Sequence, residues 1–435
     1  MSLKTAGALV TTRRFVPLWL AQTLGAFNDN LFRYSLVTLA AYQGFSVLGL
    51  EREVMAPIAA TAFTLPIFMF SAVAGQLADR YDRTAIMRVT KFIEIFLMLI
   101  AAAGFLLGDA RLLLLALFLM GVQTAFFIPA RTSAMPTLLE PSELVTANAL
   151  VSGTVNVAIL AGAIGGTALI AMTWGLNAIS GALIICAVIG WLAIRQGAPA
   201  KPSEPVDRIN WNIITETARI LGYVFKLQEV LRPLLGVAWF WMMAAAVVTL
   251  LPIFTRDVLH ADPLVVALFQ LLFTVGAAAG AILCGLLTRG GDAIVFTLIG
   301  AVGLVVFPLD LALYTFSYQP SGSETSLTGV ADFIADPANR RIMIDLVCAA
   351  VAGGFFVVPL QAMIQRRATP ERRGRILAGS GILNGASASL GQFVLAGLAL
   401  VNAPLQGAFI FVALGSLIAA VFTLTRILAR RNAPG

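Results

Sequence analysis

Charged residues are scarce in this chain of 435 residues. Only 12% of the residues are Asp, Glu, Lys or Arg, whereas 59% are hydrophobic and the mean hydropathy is +0.90. Because a soluble domain is about a quarter charged, so few charges cannot cover the surface of a soluble protein of this length. The composition therefore excludes a soluble globular enzyme and predicts an integral membrane protein.

Cysteine and histidine are also rare. The three cysteines lie within apolar runs, and the single histidine, His260, lies in a short polar turn. Cysteines in apolar runs are typically small packing residues, and one histidine argues against a His/Cys metal site. We predict neither a metal nor a cofactor. The net charge of +7 is explained by the positive-inside rule for membrane proteins, so no nucleic-acid partner is predicted.

The chain lacks the motifs of two classes of membrane enzyme. An ATP-driven pump needs a G-x-x-x-x-G-K-[ST] loop to cradle phosphates, and the chain contains none. A membrane acyltransferase of the His-x4-Asp type is excluded because Leu264 and Val265 stand where the aspartate would follow His260. The chain is therefore not predicted to be an enzyme.

Long apolar runs fill most of the sequence. A bilayer requires about 20 apolar residues per helix, and twelve runs approach or exceed that length: 15–41, 55–78, 85–107, 112–133, 146–171, 175–194, 233–255, 263–288, 292–316, 342–364, 376–400 and 405–427. If the N-terminus is cytoplasmic, 23 of the 29 Lys and Arg residues fall on the cytoplasmic side, as the positive-inside rule requires. We predict an all-α protein of twelve transmembrane helices with both termini in the cytoplasm.

The chain is predicted to divide into three segments. Residues 1–194 form an N-terminal six-helix bundle, residues 195–232 a cytoplasmic linker, and residues 233–435 a C-terminal six-helix bundle. The linker opens with a proline-rich stretch, 197–205, and continues as an amphipathic helix over about 211–231, either on the inner leaflet or in water. A short helix is predicted in the loop 317–340.

The two halves resemble each other in sequence. A Phe-Phe pair that precedes a proline occurs at Phe126 and again 229 residues later, at Phe355. A Ser-Gly-x-x-Asn element ends at Asn156 and again, 228 residues later, at Asn384. Two parallel six-helix repeats are a transporter architecture with a substrate cavity between the halves, near the midplane.

Ionisable residues occur deep within the first span. Asp29 lies about 22 Å along the helix from Arg14, near or just past mid-bilayer. Asp29 and Arg33 are four residues apart and can form an ion pair, and charges at that depth usually face a cavity. Two interpretations stay open: Asn28, Asp29, Asn30 and Arg33 contact substrate or gate its path, or the charges form a structural pair. Lys91 and Glu94 are interpreted as a local pair.

The loop between spans two and three reads Gly75-Gln-Leu-Ala-Asp-Arg-Tyr-Asp-Arg-Thr84. It resembles the signature loop of the major facilitator superfamily, G-x-L-a-D-R-x-G-R-r, although Asp82 replaces the usual glycine. Gly75 would allow close helix approach, and Asp79 would engage a neighbouring helix N-terminus. The resemblance implies a lock that favours the outward-open state, with arginines pairing between the halves. Its residues are Gly75, Asp79, Arg80 and Arg83.

Three further motifs are more specific. They are Gly25-Ala-Phe-Asn-Asp-Asn-Leu-Phe-Arg33, Ile128-Pro-Ala-Arg131 with the segment to Asn148, and Gly353-Gly-Phe-Phe-Val-Val-Pro-Leu-Gln361. They resemble the lysophospholipid transporter family, whose members move lysophospholipids to the inner leaflet of the bacterial inner membrane. There an acyltransferase restores the second chain. The resemblance implies a multi-pass inner-membrane transporter that works by alternating access, with lysophospholipid and membrane lipids as ligands and a cytoplasmic lysophospholipid acyltransferase as a partner.

The resemblance also implies site residues. Asp29 matches an acidic family position, and Arg131 matches a basic position that could attract phosphate, or that could simply follow the topology. We expect the headgroup near Asp29, Arg33 and the asparagines 156 and 384. No Lys or Arg lies between Ala238 and Phe254, where some members carry an arginine, which leaves Arg33 as the expected partner of Asp29.

A second function fits the same superfamily loop. A proton-coupled exporter of drugs or small solutes would use Asp29 as its proton site. The carboxylates Asp310 and Asp345 are interpreted as ordinary, hydrated groups near the periplasmic ends of their spans.

Overall fold

The computed structural model describes residue 7 and residues 9–43, 52–202, 209–288, 294–322, 326–367 and 370–431. Within these ranges the chain is helical apart from turns and an isolated bridge between Ala261 and Thr328. The helices are α1 (Val16–Gln43), α2 (Arg52–Arg80), α3 (Arg83–Leu107), α4 (Ala110–Leu138), α5 (Pro141–Ile170), α6 (Gly175–Arg195), α7 (Ile213–Lys226), α8 (Gln228–Asp257), α9 (Pro263–Thr288), α10 (Ile294–Phe316), α11 (Val330–Ala335), α12 (Pro337–Arg367), α13 (Pro370–Leu400) and α14 (Gln406–Arg431).

Each of the twelve predicted spans corresponds to one long helix. Eleven of the described helices, α2–α6, α8–α10 and α12–α14, are long and apolar enough to cross a membrane. The remaining one, α1, has 28 residues, which is sufficient length, but it carries Asp29, Arg33 and several amides. The predicted all-α, multi-span fold is confirmed, and the polar residues of α1 make it the exception among the spans.

The N-terminal compact unit comprises residues 1–50 and 59–221. Within it α1 packs on α5 and α6, and α3 packs on α4 and α6. Glycine permits the α1–α5 contact, because a Cβ built on Gly162 would lie 2.4 Å from the carbonyl oxygen of Phe27. Small residues that let helix backbones approach closely are the common packing device of membrane helices.

The C-terminal compact unit comprises residues 51–58 and 222–435. Within it α8 packs on α13, and α10 packs on α12 and α14, the same first-to-fifth, third-to-fourth and third-to-sixth pairings. Gly391 of α13 permits the α8–α13 contact, because a Cβ there would lie 2.6 Å from the carbonyl oxygen of Met242. Gly391 follows Gly162 by 229 residues, which is the offset of the sequence repeat. Three helix pairings therefore recur in both units, as the sequence repeat predicts.

The linker differs in detail from the prediction. The amphipathic helix α7 ends at Lys226, and residues 228–231 already belong to α8. The helix is interrupted at Leu227, whose non-helical backbone makes it the N-cap residue of α8. Trp211 and Ile214 are 67% and 80% exposed, whereas Val224 is buried. Residues 203–205 of the proline-rich stretch lie outside the described residues. The division at 194 and 233 stays a prediction, whereas the short helix predicted in the loop 317–340 is α11.

Candidate functional site

A cluster of polar side chains lies inside the N-terminal unit, where α1, α3 and α4 meet. Lys91 and Glu94 of α3 form an ion pair of 2.6 Å, and their side chains are only 2% and 1% exposed. Asn28 of α1 and Gln123 of α4 are also buried. A buried ion pair is stable only if hydrogen bonds satisfy its remaining polar atoms, and the surrounding amides supply them.

Glu94 is the centre of this cluster. The Nδ2 of Asn28 donates to one carboxylate oxygen at 3.3 Å, and the Nε2 of Gln123 donates to the other at 3.1 Å. The second oxygen also accepts from the Lys91 ammonium. Three helices are thus linked through one carboxylate, whose charge is balanced by Lys91.

The Lys91 ammonium reaches α1 because α1 carries a glycine there. A Cβ built on Gly25 would lie 2.4 Å from the Nζ of Lys91. The ammonium also lies 5.0 Å from the ring centroid of Phe127, a favourable cation–π distance. The first glycine of the motif Gly25–Arg33 therefore makes room for a cation.

Asp29 borders the cluster and keeps one oxygen unpaired. Its Oδ2 accepts from the hydroxyl of Thr124 at 3.4 Å, whereas its Oδ1 is buried and has no partner within the described residues. The carbonyl oxygen of the neighbouring Asn28 side chain is also unpaired. Buried polar groups without partners are uncommon and costly, so these oxygens are candidates for binding a donor from outside the chain.

Arg33 does not pair with Asp29, which corrects the expected ion pair. Its Nη2 donates to the Oδ1 of Asn30 at 2.8 Å, and the guanidinium lies 5.0 Å and 5.6 Å from the ring centroids of Tyr34 and Phe63. The aromatic rings and the Asn30 amide hold the guanidinium. Asp29 therefore has only the hydroxyl of Thr124 as a hydrogen-bond partner among the described residues.

The other predicted headgroup residues lie apart from this cluster. Arg131 is half-buried, two turns beyond Gln123 on α4, and no hydrogen bond or ion pair to it is found in the described ranges. In the N-terminal unit, Asn156 is an exposed residue of α5. In the C-terminal unit, Asn384 of α13 is half-buried, and its side-chain carbonyl oxygen has no described partner.

Asp82 gives the signature loop its shape. Its carboxylate caps α3 by accepting from the backbone N–H of Thr84 at 3.0 Å, a standard N-cap bond. It also accepts from the N–H of Ala200 at 2.9 Å, and the N–H of Arg83 donates back to the carbonyl of Ala200. The substitution of the usual glycine by Asp82 therefore fastens the start of the linker to α3.

The predicted lock residues of the signature loop differ in their contacts. Arg83 donates to the hydroxyl of Thr137 on α4 at 2.6 Å and to the carbonyl of Ala78, while Asp79 is exposed and Arg80 lies over the ring of Tyr81. Within the N-terminal unit no described atom lies within 4 Å of a Cβ built on Gly75, and its close approach to a neighbouring helix stays a prediction. Pairing of the arginines between the halves stays a prediction.

Sequence reasoning underestimated Lys91 and Glu94. The sequence analysis interprets Lys91 only as part of a local pair with Glu94, yet both side chains lie in the protein interior. The signal that could have revealed it is a Lys and a Glu three residues apart inside an apolar run, since buried charges in membranes are paired and face the bundle. Gln123 gave no comparable signal, because a single amide in an apolar run does not indicate which group it binds.

Solved structures with this fold are transporters. A POT family transporter in complex with a thioalcohol-conjugated peptide matches with a TM-score of 0.70 and 11% identity, over 97% of this chain and 98% of that one. The nucleoside transporter NupG matches with a TM-score of 0.65 and 14% identity, over 94% and 99%. Likeness at these identities shows the fold alone. The six-helix units described above thus give this chain the fold of these transporters.

The family described as transmembrane secretion effector matches residues 15–319, and the chain belongs to this family. Two curated relatives are named lysophospholipid transporter LplT. The one from Escherichia coli O1:K1 is 28% identical over 361 residues, and the one from Shigella sonnei is 27% identical over 358 residues. Each alignment covers 80% of this chain and 79% of the relative. The resemblance predicted from the three motifs is confirmed.

Proposed function

We propose that this protein is a lysophospholipid transporter of the bacterial inner membrane, which moves its substrate to the inner leaflet by alternating access. One observation carries the proposal: the chain aligns over 80% of its length with transporters named for lysophospholipids. Both termini are cytoplasmic, as the charge distribution favours, and a cytoplasmic lysophospholipid acyltransferase consumes the delivered lipid.

The N-terminal unit supplies groups suited to a lipid headgroup. Asp29 offers an unpaired carboxylate oxygen, and Arg33 and Arg131 offer guanidinium groups that can bind a phosphate by charge-assisted hydrogen bonds. We assign Asp29 and Arg33 to headgroup contact and gating. The Lys91–Glu94 pair fixes the helices that carry them, since Asn28 and Gln123 connect Glu94 to α1 and α4.

The second candidate function is a proton-coupled exporter of drugs or small solutes. The observation in its favour is the Asp29 carboxyl, which has only a hydroxyl partner and no ion pair among the described residues. Such a carboxyl can carry a proton across a membrane.

Uptake into proteoliposomes separates the two functions. The purified protein is reconstituted, and entry of labelled lysophosphatidylethanolamine is compared with that of a cationic dye, with and without a pH gradient. A lysophospholipid transporter moves the lipid and leaves the dye at the level of empty liposomes. Movement of the dye driven by the pH gradient, without lipid movement, would refute the proposal and establish the exporter.

The lock can be tested by accessibility. We expect Asp79→Ala to increase labelling of cysteines placed at the cytoplasmic ends of spans and to decrease labelling at the periplasmic ends, because the outward-open state loses support. Unchanged labelling at both ends would contradict the assigned role of the loop.

A further inference from the structure

The C-terminal unit contains a small cavity between α8, α9, α10, α12 and α14. Its volume is about 50 Å³, and its walls are mainly apolar. Aromatic side chains form much of the lining, including Trp239, Phe240, Phe273 and Phe409. A cavity of this size has room for roughly three or four water-sized groups. It can therefore hold the end of a polar group, but neither an acyl chain nor a whole glycerophosphate.

Three polar atoms in the cavity lining are buried and have no partner within the described residues. They are the indole Nε1 of Trp239, the Oδ2 of Asp345 and the Oγ of Ser416. Asp345 is 4% exposed and Ser416 is 1% exposed, so the interpretation of Asp345 as a hydrated surface carboxylate is wrong. Each unpaired buried group costs about 1–3 kcal/mol, and three around one cavity indicate a site built for a polar ligand.

Glycine residues set the aromatic wall. A Cβ built on Gly415 of α14 would lie 1.7 Å from the indole ring of Trp239, and one built on Gly353 of α12 would lie 2.8 Å from the ring of Phe240. Both rings therefore occupy places that only glycine leaves open. The motif Gly353–Gln361 and the cavity are connected in this way.

The cation nearest to Asp345 is Arg341, which is already paired with another carboxylate. Arg341 donates from Nε to Asp310 at 2.9 Å and from Nη2 to the other oxygen of the same carboxylate. Such a bidentate pair is the strongest form of arginine–carboxylate contact. Arg341 thus neutralises Asp310, whose side chain also shares a hydrogen bond with Asp345, and the Oδ2 of Asp345 has no partner among the described residues.

The chemistry of the lining matches a primary ammonium. An ammonium carries three N–H donors, which suit the carboxylate oxygen of Asp345 and the hydroxyl oxygen of Ser416. Aromatic faces around a cation add cation–π attraction. The indole N–H of Trp239 is a donor, and it suits an oxygen a few atoms away on the same ligand. An ammonium on a two-carbon arm that leads to a phosphate has this pattern and fits the volume.

We propose that the cavity of the C-terminal unit binds the primary ammonium of an ethanolamine headgroup, and so makes the transporter prefer lysophosphatidylethanolamine to lysophosphatidylglycerol. The inference rests on the proposed function, because the ammonium belongs to the transported lipid. Asp345 supplies the charge, Ser416 and the aromatic faces complete the site, and Trp239 orients the headgroup through its N–H.

The test measures the ratio of the initial uptake rates of the two lipids in proteoliposomes. Asp345→Asn preserves the shape of the side chain and removes its charge, so we expect the ethanolamine-to-glycerol ratio to fall about tenfold, the effect of one charge-assisted hydrogen bond. Trp239→Phe keeps an aromatic ring without the N–H, and Ser416→Ala removes the hydroxyl. Each should lower the ratio about threefold. The exposed Asp332→Asn is the matched control and should keep the wild-type ratio.

Three outcomes overturn the inference. One is an equal loss of both activities in Asp345→Asn, and another is an unchanged ratio in all three cavity variants. The third is a shift in the pH dependence of both lipids without a change in the ratio, which would make the cavity a proton site. If Asp345→Asn melts well below the wild type in detergent, the ratios of Ser416→Ala and Trp239→Phe decide.

The design also separates this inference from the proposed function. A wild-type protein that transports neither lipid refutes the function itself. A wild-type protein that transports both lipids, with variants that do not alter the ratio, leaves the function in place and removes only the ammonium site. Free ethylammonium chloride serves as a competitor. It should slow uptake of the ethanolamine lipid more than that of the glycerol lipid, and equal slowing of the two would count against the site.

Discussion

Removing the Lys91 ammonium should destabilise the N-terminal unit strongly. The Glu94 carboxylate is 1% exposed and would keep only the two amide donors from Asn28 and Gln123. Breaking a buried ion pair by removal of one partner costs about 3–5 kcal/mol, because the other charge remains buried and uncompensated. Since each kcal/mol shifts the Tm of a domain of this size by about 2–4 °C, Lys91→Met should lower the Tm by about 6–20 °C.

The same physics predicts a rescue. In the double variant Lys91→Met/Glu94→Gln no buried charge is left, and the glutamine oxygen can still accept from the two amides. Replacing both members of a buried pair with neutral residues of similar volume is often neutral or stabilising. The double variant should therefore melt within a few degrees of the wild type, well above the single variant.

Thermal unfolding of the detergent-solubilised protein, followed by size-exclusion chromatography after heating, measures both effects. Arg111→Met, which removes a cation from the exposed start of α4, controls for the loss of one positive charge. A wild-type Tm in Lys91→Met would refute the reasoning. So would a double variant that is less stable than the single one, since that result would mean that the pair contributes more than the buried charge costs.

Three further variants test the site and the packing. Asp29→Asn should reduce lysophospholipid uptake at least tenfold at unchanged abundance in the membrane, because the unpaired carboxylate loses its charge; normal uptake would contradict its assignment. Asp82→Ala should lower stability by about 1–2 kcal/mol through loss of the cap of α3, and an unchanged Tm would show that the linker holds without it. Gly162→Ala should cost about 1–3 kcal/mol by overpacking, since its Cβ would collide with the Phe27 carbonyl. Gly153→Ala, on the same helix with open space around it, is its control and should not lower the Tm.

The extent to which the sequence predicts this protein differs between elements. The spans were predictable because a helix that crosses a bilayer must be long and apolar, and the apolar runs agree with the helices to within a few residues at most ends. The repeat was predictable because equivalent packing positions keep the same residue types, as Gly162 and Gly391 show. The end of α7 was not predictable, because the amphipathic pattern continues through Leu227 although the helix is interrupted at that residue.

The candidate site was predictable only in part. Asp29 stood out because a carboxylate at mid-bilayer depth is costly, and that signal is present in the sequence alone. Its partner was predicted wrongly, since four-residue spacing favours Arg33, but neighbouring aromatic rings and Asn30 hold that guanidinium.

The sequence by itself determined the class of the protein and its spans, because hydropathy responds to the membrane and not to the details of packing. Only the tertiary structure decided which charges are buried and which are paired. Lys91 and Asp345 look like ordinary surface charges in the sequence. The packing of neighbouring helices buries the Lys91–Glu94 pair and leaves Asp345 with a free oxygen at an apolar cavity. Asn28 and Gln123, which complete the hydrogen bonds of Glu94, come from helices distant in sequence, and a pattern along one helix does not reveal them.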